Sequence, residues 1–391
     1  MIPRVLTAKL RDLSKRYPVL AVLGPRQSGK TTLVKFAFPS LRYVSLEDPD
    51  IREYATRDPR SFLRDISEGA ILDEAQRVPI LFSYLQSWVE EHQGMGRYVL
   101  TGSQNFLMME GISQSLAGRV AVLKLLPFSL AELAGTEHWQ ASVEEFMFRG
   151  LFPAIYDRHI EPADWYRSYI ETYLERDVRQ LRAVGDLDSF QRFLRMCASR
   201  TSQLVNLSSL ASDCGVSHNT AKAWLSVLEA SFLVYLSKPF HRNYGKRLVK
   251  TPKLYFTDPG LVCALQGITR PEQLETHFLR GALFETLVVS EILKYQTNRG
   301  RGPDCSFWRD QHGREVDCLL EEGGRTTAIE IKAGRTPNAE YFTGLGQWRR
   351  IAGPDAGETA VVYAGDSSQN RSAGRLVSWS AIESLFEFPS R

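Results

Sequence analysis

The run Gly24-Pro25-Arg26-Gln27-Ser28-Gly29-Lys30-Thr31 fits the pattern G-x-x-x-x-G-K-[ST]. Glycines there let the backbone curl until successive N–H groups face one point, and a following helix adds the positive end of its dipole. Both favour a phosphate. Lys30 then reaches the β and γ phosphates of ATP, and Thr31 meets Mg²⁺. Residues Gly24 to Thr32 are the expected nucleotide contacts. Hydrolysis needs a second set of groups. The apolar run Gly69-Ala70-Ile71-Leu72 ends in Asp73 and Glu74: Asp73 at a strand's end can hold the Mg²⁺ shell, and Glu74 can polarise the attacking water as general base. A strand over Arg97–Thr101 leads into Gly102-Ser103-Gln104-Asn105, where small polar side chains such as Ser103 can sense the γ phosphate; the same four residues also make a routine turn.

A third constellation lies near the end of the chain. Glu330 and Lys332 share one face of a strand over Ala328–Lys332, because side chains alternate with a period of two. Asp317 stands in a preceding strand, Glu315–Leu320, joined to it by the turn Glu321–Arg325, so the pairing register can bring it beside them. Two carboxylates and an ammonium on one patch suit Mg²⁺ bound through oxygen, at Asp317 and Glu330, with Lys332 steadying a water or a charged transition state. The plainer reading is a set of cross-strand salt bridges on an exposed sheet face.

The phosphate loop requires a strand before it, from about Pro18 to Leu23, and a helix after it, from about Lys30 to Ala37. Arg42–Leu46 reads as a strand, and a polar helical region follows to about Ser67. Ser129 is placed to cap a helix after the last strand of this part, and Gly150-Leu151-Phe152-Pro153 breaks the pattern again. From Trp165 a helix runs towards Glu175-Arg176-Asp177-Val178. Residues Leu207–Leu225 then have the order of a helix-turn-helix, with Ser208 capping the first helix, Gly215 turning, and Ser217 capping the second. Ala221, Trp224, Leu225 and Leu228 share the inner face, which leaves His218, Asn219 and Lys222 outside. Val234–Leu236 and Leu254–Phe256 flank a basic loop (His241, Arg242, Asn243, Lys246, Arg247, Lys250, Lys253) that looks like a wing. Between Trp165 and Lys253 there are 14 lysines and arginines against 7 acids, although the whole chain carries only +3. Such a basic block is the footprint of a phosphate-backbone partner, so DNA is expected at His218, Asn219, Lys222, Arg242, Lys246 and Arg247, read by structure and not by base sequence.

Residues 18 to 130 resemble the AAA-type ATPase domain of a large prokaryotic family, on the strength of GPRQSGKTT, ILDEAQ, LTGSQN and Ser115-Leu116-Ala117-Gly118-Arg119. A strand intervening between the phosphate loop and Asp73, with a glutamate beside that aspartate, is the arrangement of the additional-strand class. The resemblance implies that Arg119 is a γ-phosphate or arginine-finger group acting across a subunit boundary, hence a homo-oligomer. Residues 278 to 370 resemble the PD-(D/E)xK restriction-like nuclease superfamily, with Asp317 and Glu330-x-Lys332 as its motif. That resemblance implies that Glu285 is the acid of the first helix and Gln347 the polar residue of the next. The expected fold is α/β: an AAA-type ATPase domain at 1–135, a helical connector at 136–200, a winged-helix unit at 201–256 and a nuclease-like domain at 257–391.

With 391 residues the chain has length for several cores. Five scattered cysteines without a C-x-x-C pair indicate a reducing cytoplasm, and Cys305, His312 and Cys318 lack a fourth ligand for zinc. No stretch approaches the roughly 20 apolar residues of a membrane span. The expectation is a cytoplasmic ATPase that acts on DNA with ATP and Mg²⁺, and with a Mg²⁺-dependent nuclease at its end. Its rival is an ATP-dependent switch whose last domain is a catalytically silent scaffold.

Overall fold

The computed structural model describes residues 2–103, 105–174, 187–240, 250–310, 312–322 and 324–386, which form two compact units. The first unit is built mainly from residues up to Phe128. Its five strands are β1 (Val19–Leu23), β2 (Arg42–Ser45), β3 (Ala70–Asp73), β4 (Tyr98–Gly102) and β5 (Val120–Lys124). They lie in the order β2-β3-β4-β1-β5, all parallel. β1, β3 and β4 are buried along their whole length, as their unbroken apolar sequences require of strands covered on both faces. Leu33, Val34 and Ala37 of the helix Lys30–Ala37 pack on one face with Leu6 and Leu10 of the helix Leu6–Ser14. The strand that separates β1 from β3 in space is β4; β2, which intervenes in the chain, lies at the sheet's edge.

Ligand-facing loops in such a sheet leave from the carboxyl ends of the strands. Here those ends carry the phosphate loop after β1, Glu74 after β3 and Ser103 after β4. Gly24 sits where a Cβ would overlap the carbonyl oxygen of Leu125, just beyond β5, so only glycine lets the loop start this close to the sheet. Gly29, at φ 91°, turns the loop into its helix.

The second unit is built from residues 129–229, 233–295 and 303–391. Ser129 accepts from Glu132 N in a capping box, as its sequence position predicts. The helix Pro162–Tyr169 passes into a π turn at Ile170–Leu174, and the Glu175–Val178 segment lies outside the described residues. Two sheets follow. β6 (Gln203–Leu204), β7 (Val234–Ser237) and β8 (Lys253–Phe256) form an antiparallel sheet in the order β6-β8-β7, beside the helices Leu207–Cys214 and His218–Ala230. The helix Arg280–Asn298 precedes a six-stranded sheet made of β9 (Ser306–Arg309), β10 (Glu315–Glu322), β11 (Arg325–Lys332), β12 (Ala356–Tyr363), β13 (Gln369–Arg371) and β14 (Gly374–Ser378). Its order is β13-β14-β12-β11-β10-β9, with β10 and β11 antiparallel and β11 and β12 parallel. The helix Thr343–Ala352 buries Leu345 and Trp348 on this sheet, in a core with Trp308, Val316 and Val361.

Gly24→Ala is expected to weaken ATP binding at least tenfold and to lower the thermal midpoint, because the Leu125 carbonyl must move. Nucleotide titration of the folded variant checks this; unchanged affinity would show that the loop tolerates a Cβ.

Candidate functional site

At the carboxyl edge of the first sheet, Lys30 is 6% exposed and its Nζ donates to the carbonyls of Gly24 (3.0 Å) and Pro25 (2.8 Å). The phosphate loop thus folds around its own lysine. Thr31 Oγ1 donates to both carboxylate oxygens of Asp73, at 3.1 and 3.0 Å. The hydroxyl of Tyr43 on β2 donates to Asp73 Oδ2 at 2.7 Å, and the Thr101 hydroxyl donates to Oδ1. Burial, reinforced by the bond to Asp73, pushes the Tyr43 phenol up to about 12, so it remains a donor across the physiological range. Glu74 adopts left-handed backbone angles (φ 55°, ψ 47°), and its Oε2 accepts from Ser103 Oγ at 3.0 Å and from Gln76 Nε2. Arg4 braces the loop from outside, donating to Ser28 O and Leu126 O at 2.7 Å each. Arg26 and Gln27 are half-buried in the loop, and Thr32 is exposed. A hydroxyl and a carboxylate at hydrogen-bond distance beside a loop that wraps a buried lysine fit Mg²⁺ and a triphosphate.

Arg119 stands elsewhere. It precedes β5, whereas the phosphate loop follows β1, and the two strands run parallel with Val19 opposite Val120. Five residues of strand put Arg119 roughly 16 Å from the loop, at the opposite edge of the sheet, paired with Glu90. It does not serve the phosphate loop of its own chain.

In the second unit the predicted acids do converge. Asp317 Oδ2 accepts from Ile331 N at 2.8 Å, which seats it between Glu330 and Lys332, themselves paired at 2.5 Å. Glu330 Oε2 is buried without a hydrogen-bond partner among the described residues, and a Cβ on Gly344 would lie 3.6 Å from it. The helix carrying Gln347 therefore passes over this carboxylate. The cluster is half-buried, with Lys332 the most exposed of its members, in contrast to the exposed sheet face that the plainer sequence reading assumed. Glu285 is held by a residue that the sequence placed in the basic loop. Lys253 is the first residue of β8, 3% exposed, and its Nζ lies 3.0 Å from Glu285 Oε1, against Glu315 Oε1, and 3.9 Å from Asp317 Oδ1. Burial alone would lower this lysine, but Glu285, Asp317 and Glu315 outweigh it and hold it above its ordinary range. Tyr255, two residues on, donates to the same Glu285 oxygen at 2.6 Å. An ammonium already fills the space between Glu285 and Asp317, so the residues as placed do not fit a divalent ion shared by those two. Among the described residues no group of three His, Cys, Asp or Glu side chains is arranged to hold a metal. Cys305 and Cys318 are buried free thiols.

The two helices around Gly215 (φ 69°, ψ 32°) have the predicted order. Asn206, and not Ser208, caps the first: its side chain accepts from Ser209 N at 3.0 Å, so the helix begins one residue before Ser208. Ser217 Oγ accepts from Thr220 N at 3.1 Å. Ala221, Trp224, Leu225 and Leu228 are buried, and His218, Asn219 and Lys222 are exposed. Arg242, Lys246 and Arg247 lie outside the described residues, as does Gln104.

Sequence reasoning missed Tyr43, Thr101, Gln76, Glu315 and the true place of Lys253. Gln76 had a visible signal, two residues beyond Glu74. Lys253 had a weaker one, since it opens the apolar run Leu254-Tyr255-Phe256.

Residues 16–134 match the model of an AAA domain, and residues 140–272 and 280–382 match two domains of unknown function, DUF8612 and DUF4143. The uncharacterized proteins Rv2008c of Mycobacterium tuberculosis and Mb2031c of Mycobacterium bovis are each 32% identical over 338 residues, covering 86% of this chain and 75% of theirs. Among solved structures, the Walker-type ATPase PABY2304 of Pyrococcus abyssi aligns with a TM-score of 0.45 at 14% identity, over 67% of this chain and 94% of that one. AMPPCP-bound DnaA from Aquifex aeolicus aligns with a TM-score of 0.30 at 17% identity, over 57% and 86%. Among the described residues no helix is long and apolar enough to cross a membrane.

Burial first, and then the charge of Asp317, pushes Glu285 and Glu330 up from 4.5 to about 7, against the pull of Lys253 and Lys332. The folded chain keeps protons there that the unfolded chain releases, so stability falls as pH rises from about 4.5 through about 7. The thermal midpoint is expected to drop over that window, and Glu330→Gln to flatten the drop. Identical slopes for the two proteins would refute the assignment.

Proposed function

We propose a function from one premise: the chain belongs to the family of the mycobacterial proteins Rv2008c and Mb2031c and carries an AAA-type ATPase domain at residues 16–134. It binds ATP at Gly24–Thr32 and hydrolyses it with Glu74 as general base. The observation that carries this is the convergence of Lys30, Thr31, Asp73, Glu74 and Ser103 at one edge of one parallel sheet. When nucleotide enters, Lys30 exchanges the carbonyls of Gly24 and Pro25 for phosphate oxygens. Thr31 and Asp73 would hold Mg²⁺, which would supply neutralisation of phosphate charge. Glu74 takes the proton of the attacking water, while Ser103 and Gln76 fix its carboxylate. Arg119 serves the site of a neighbouring copy, so turnover needs a homo-oligomer.

DNA is the proposed partner. The order helix, β6, helix, helix, β7, β8 supports a winged helix, and the exposed His218, Asn219 and Lys222 support contacts to the phosphate backbone. The order helix Arg280–Asn298, β9, β10, β11, helix Thr343–Ala352, β12 supports a PD-(D/E)xK-like fold, in which Asp317, Glu330, Lys332 and Glu285 would be the residues of a Mg²⁺-dependent nuclease. The place of Lys253 favours the second reading, an ATP-dependent switch with a silent nuclease-like scaffold.

Lys30→Ala is expected to abolish ATP binding, and Glu74→Gln to keep binding while lowering turnover by about 10²-fold or more. Mixing Arg119→Ala with Lys30→Ala subunits should restore part of the ATPase rate, because one composite site is then complete; no recovery would remove Arg119 from that role. Replacing His218 and Lys222 together by alanine should weaken duplex DNA binding and reduce its salt dependence, as read by fluorescence anisotropy. Unaltered binding would move DNA off this helix.

A further inference from the structure

Three carboxylates from two elements, Glu285 on the helix Arg280–Asn298 and Glu315 and Asp317 on β10, are gathered in a largely buried space. Acids so placed repel one another and lose hydration, which a cation, a dense set of donors or protonation of one acid can offset. Nuclease-like sites commonly meet this need with a divalent ion taken from solution. This chain meets it with its own backbone-tethered ammonium. We infer that Lys253 is a built-in cation, filling the position between Glu285 and Asp317 that a divalent ion would otherwise hold.

Four observations carry this. Lys253 Nζ is within ion-pair distance of all three acids. Every residue of β8 is buried, so the lysine is part of a packed strand and not a surface side chain folded back. Lys253 is paired with Leu204 on β6 and with Ser237 on β7, so its backbone stays beside the three acids while the three-stranded sheet is intact. Tyr255 and Arg309 complete the set from either side, on Glu285 and at 3.1 Å on Glu315 Oε2. A metal ion exchanges with solvent and can activate a water; a tethered ammonium with these neighbours does neither. The site then fastens β8 to the helix Arg280–Asn298 and to β10 without metal. The expectation of a cation at this position rests on the nuclease-like reading of the last third, whereas the contacts themselves do not.

The test is Mn²⁺ titration of the nucleotide-free full chain, followed by electron paramagnetic resonance of the free ion, with Asp73→Asn as parent to silence the phosphate site. Adding Asp317→Asn to the parent should leave the isotherm unchanged. Adding Lys253→Met should create one new site, at least tenfold tighter than any in the parent, and Asp317→Asn should remove it again. A Mn²⁺ site in the parent that depends on Asp317 overturns the inference and leaves the nuclease reading standing. A folded Lys253→Met protein that gains no site overturns it too. A gained site indifferent to Asp317→Asn overturns it as well, because the ion would then not lie between Glu285 and Asp317. Should Lys253→Met fail to fold, Lys253→Gln takes its place, and Mn²⁺ should raise the thermal midpoint of that variant and not of the parent; the parent comparison decides in either case.

Discussion

An ionised carboxylate taken out of water needs hydroxyls, N–H groups or a counter-charge around it, and both chemical centres of this chain are organised by that need. In the first unit Asp73 is 8% exposed and meets it with three hydroxyls, from Thr31, Tyr43 and Thr101. These reach it from the loop helix, β2 and β4, so a single carboxylate sets the spacing of three elements along the sheet's edge. In the second unit the same need recurs at Asp258, which is 1% exposed and accepts from Leu151 N, Leu261 N and the Tyr166 hydroxyl. It recurs at Glu144, which takes Arg280 at 2.7 Å and Arg335 at 2.6 Å. Removing any of these acids strands several donors at once, which is costlier than the loss of one ordinary hydrogen bond.

The kind of compensation decides what a centre can do. Hydroxyl donors around Asp73 are neutral and can turn their lone pairs towards an incoming cation, so the site remains open to exchange. Lys253 carries full charge on a backbone held by strand pairing, so the acids around it already have a cation among them. Two acid-lined centres in one chain therefore differ in chemistry because one is finished with hydroxyls and the other with an ammonium.

The contrast also explains what the sequence disclosed. The phosphate loop, its strand and the helix Lys30–Ala37 are consecutive in the chain, and local backbone demands wrote them into glycine spacing and apolar runs. Asp317, Glu330 and Lys332 were legible for a similar reason, since a hairpin with period two fixes which side chains meet. The partners that arrive from a distance were not. Tyr43 comes from 30 residues before Asp73, and Lys253 from 32 residues before Glu285, with no periodicity linking them. The cap at Asn206 was misplaced by two residues because serine and asparagine serve equally at that position. The order of strands in the first sheet was likewise out of reach, because β4 enters between β1 and β3 from later in the chain.

Glu74 shows how such distant partners bear on chemistry. A non-glycine residue in the left-handed region holds its conformation only where its surroundings over-determine it, at a cost on the order of 1 kcal/mol or more. Directly after β3, that conformation breaks the alternation of the strand and turns the glutamate towards the end of β4. There Ser103 and Gln76 grip one oxygen, Oε2, and the Glu74 backbone N–H reaches the Thr101 hydroxyl at 3.4 Å. Thr101 in turn donates to Asp73, so Asp73 and the backbone of Glu74 are linked through one hydroxyl. Orientation of Glu74 is thereby tied to the integrity of β4, and a change at Thr101 acts on both carboxylates together.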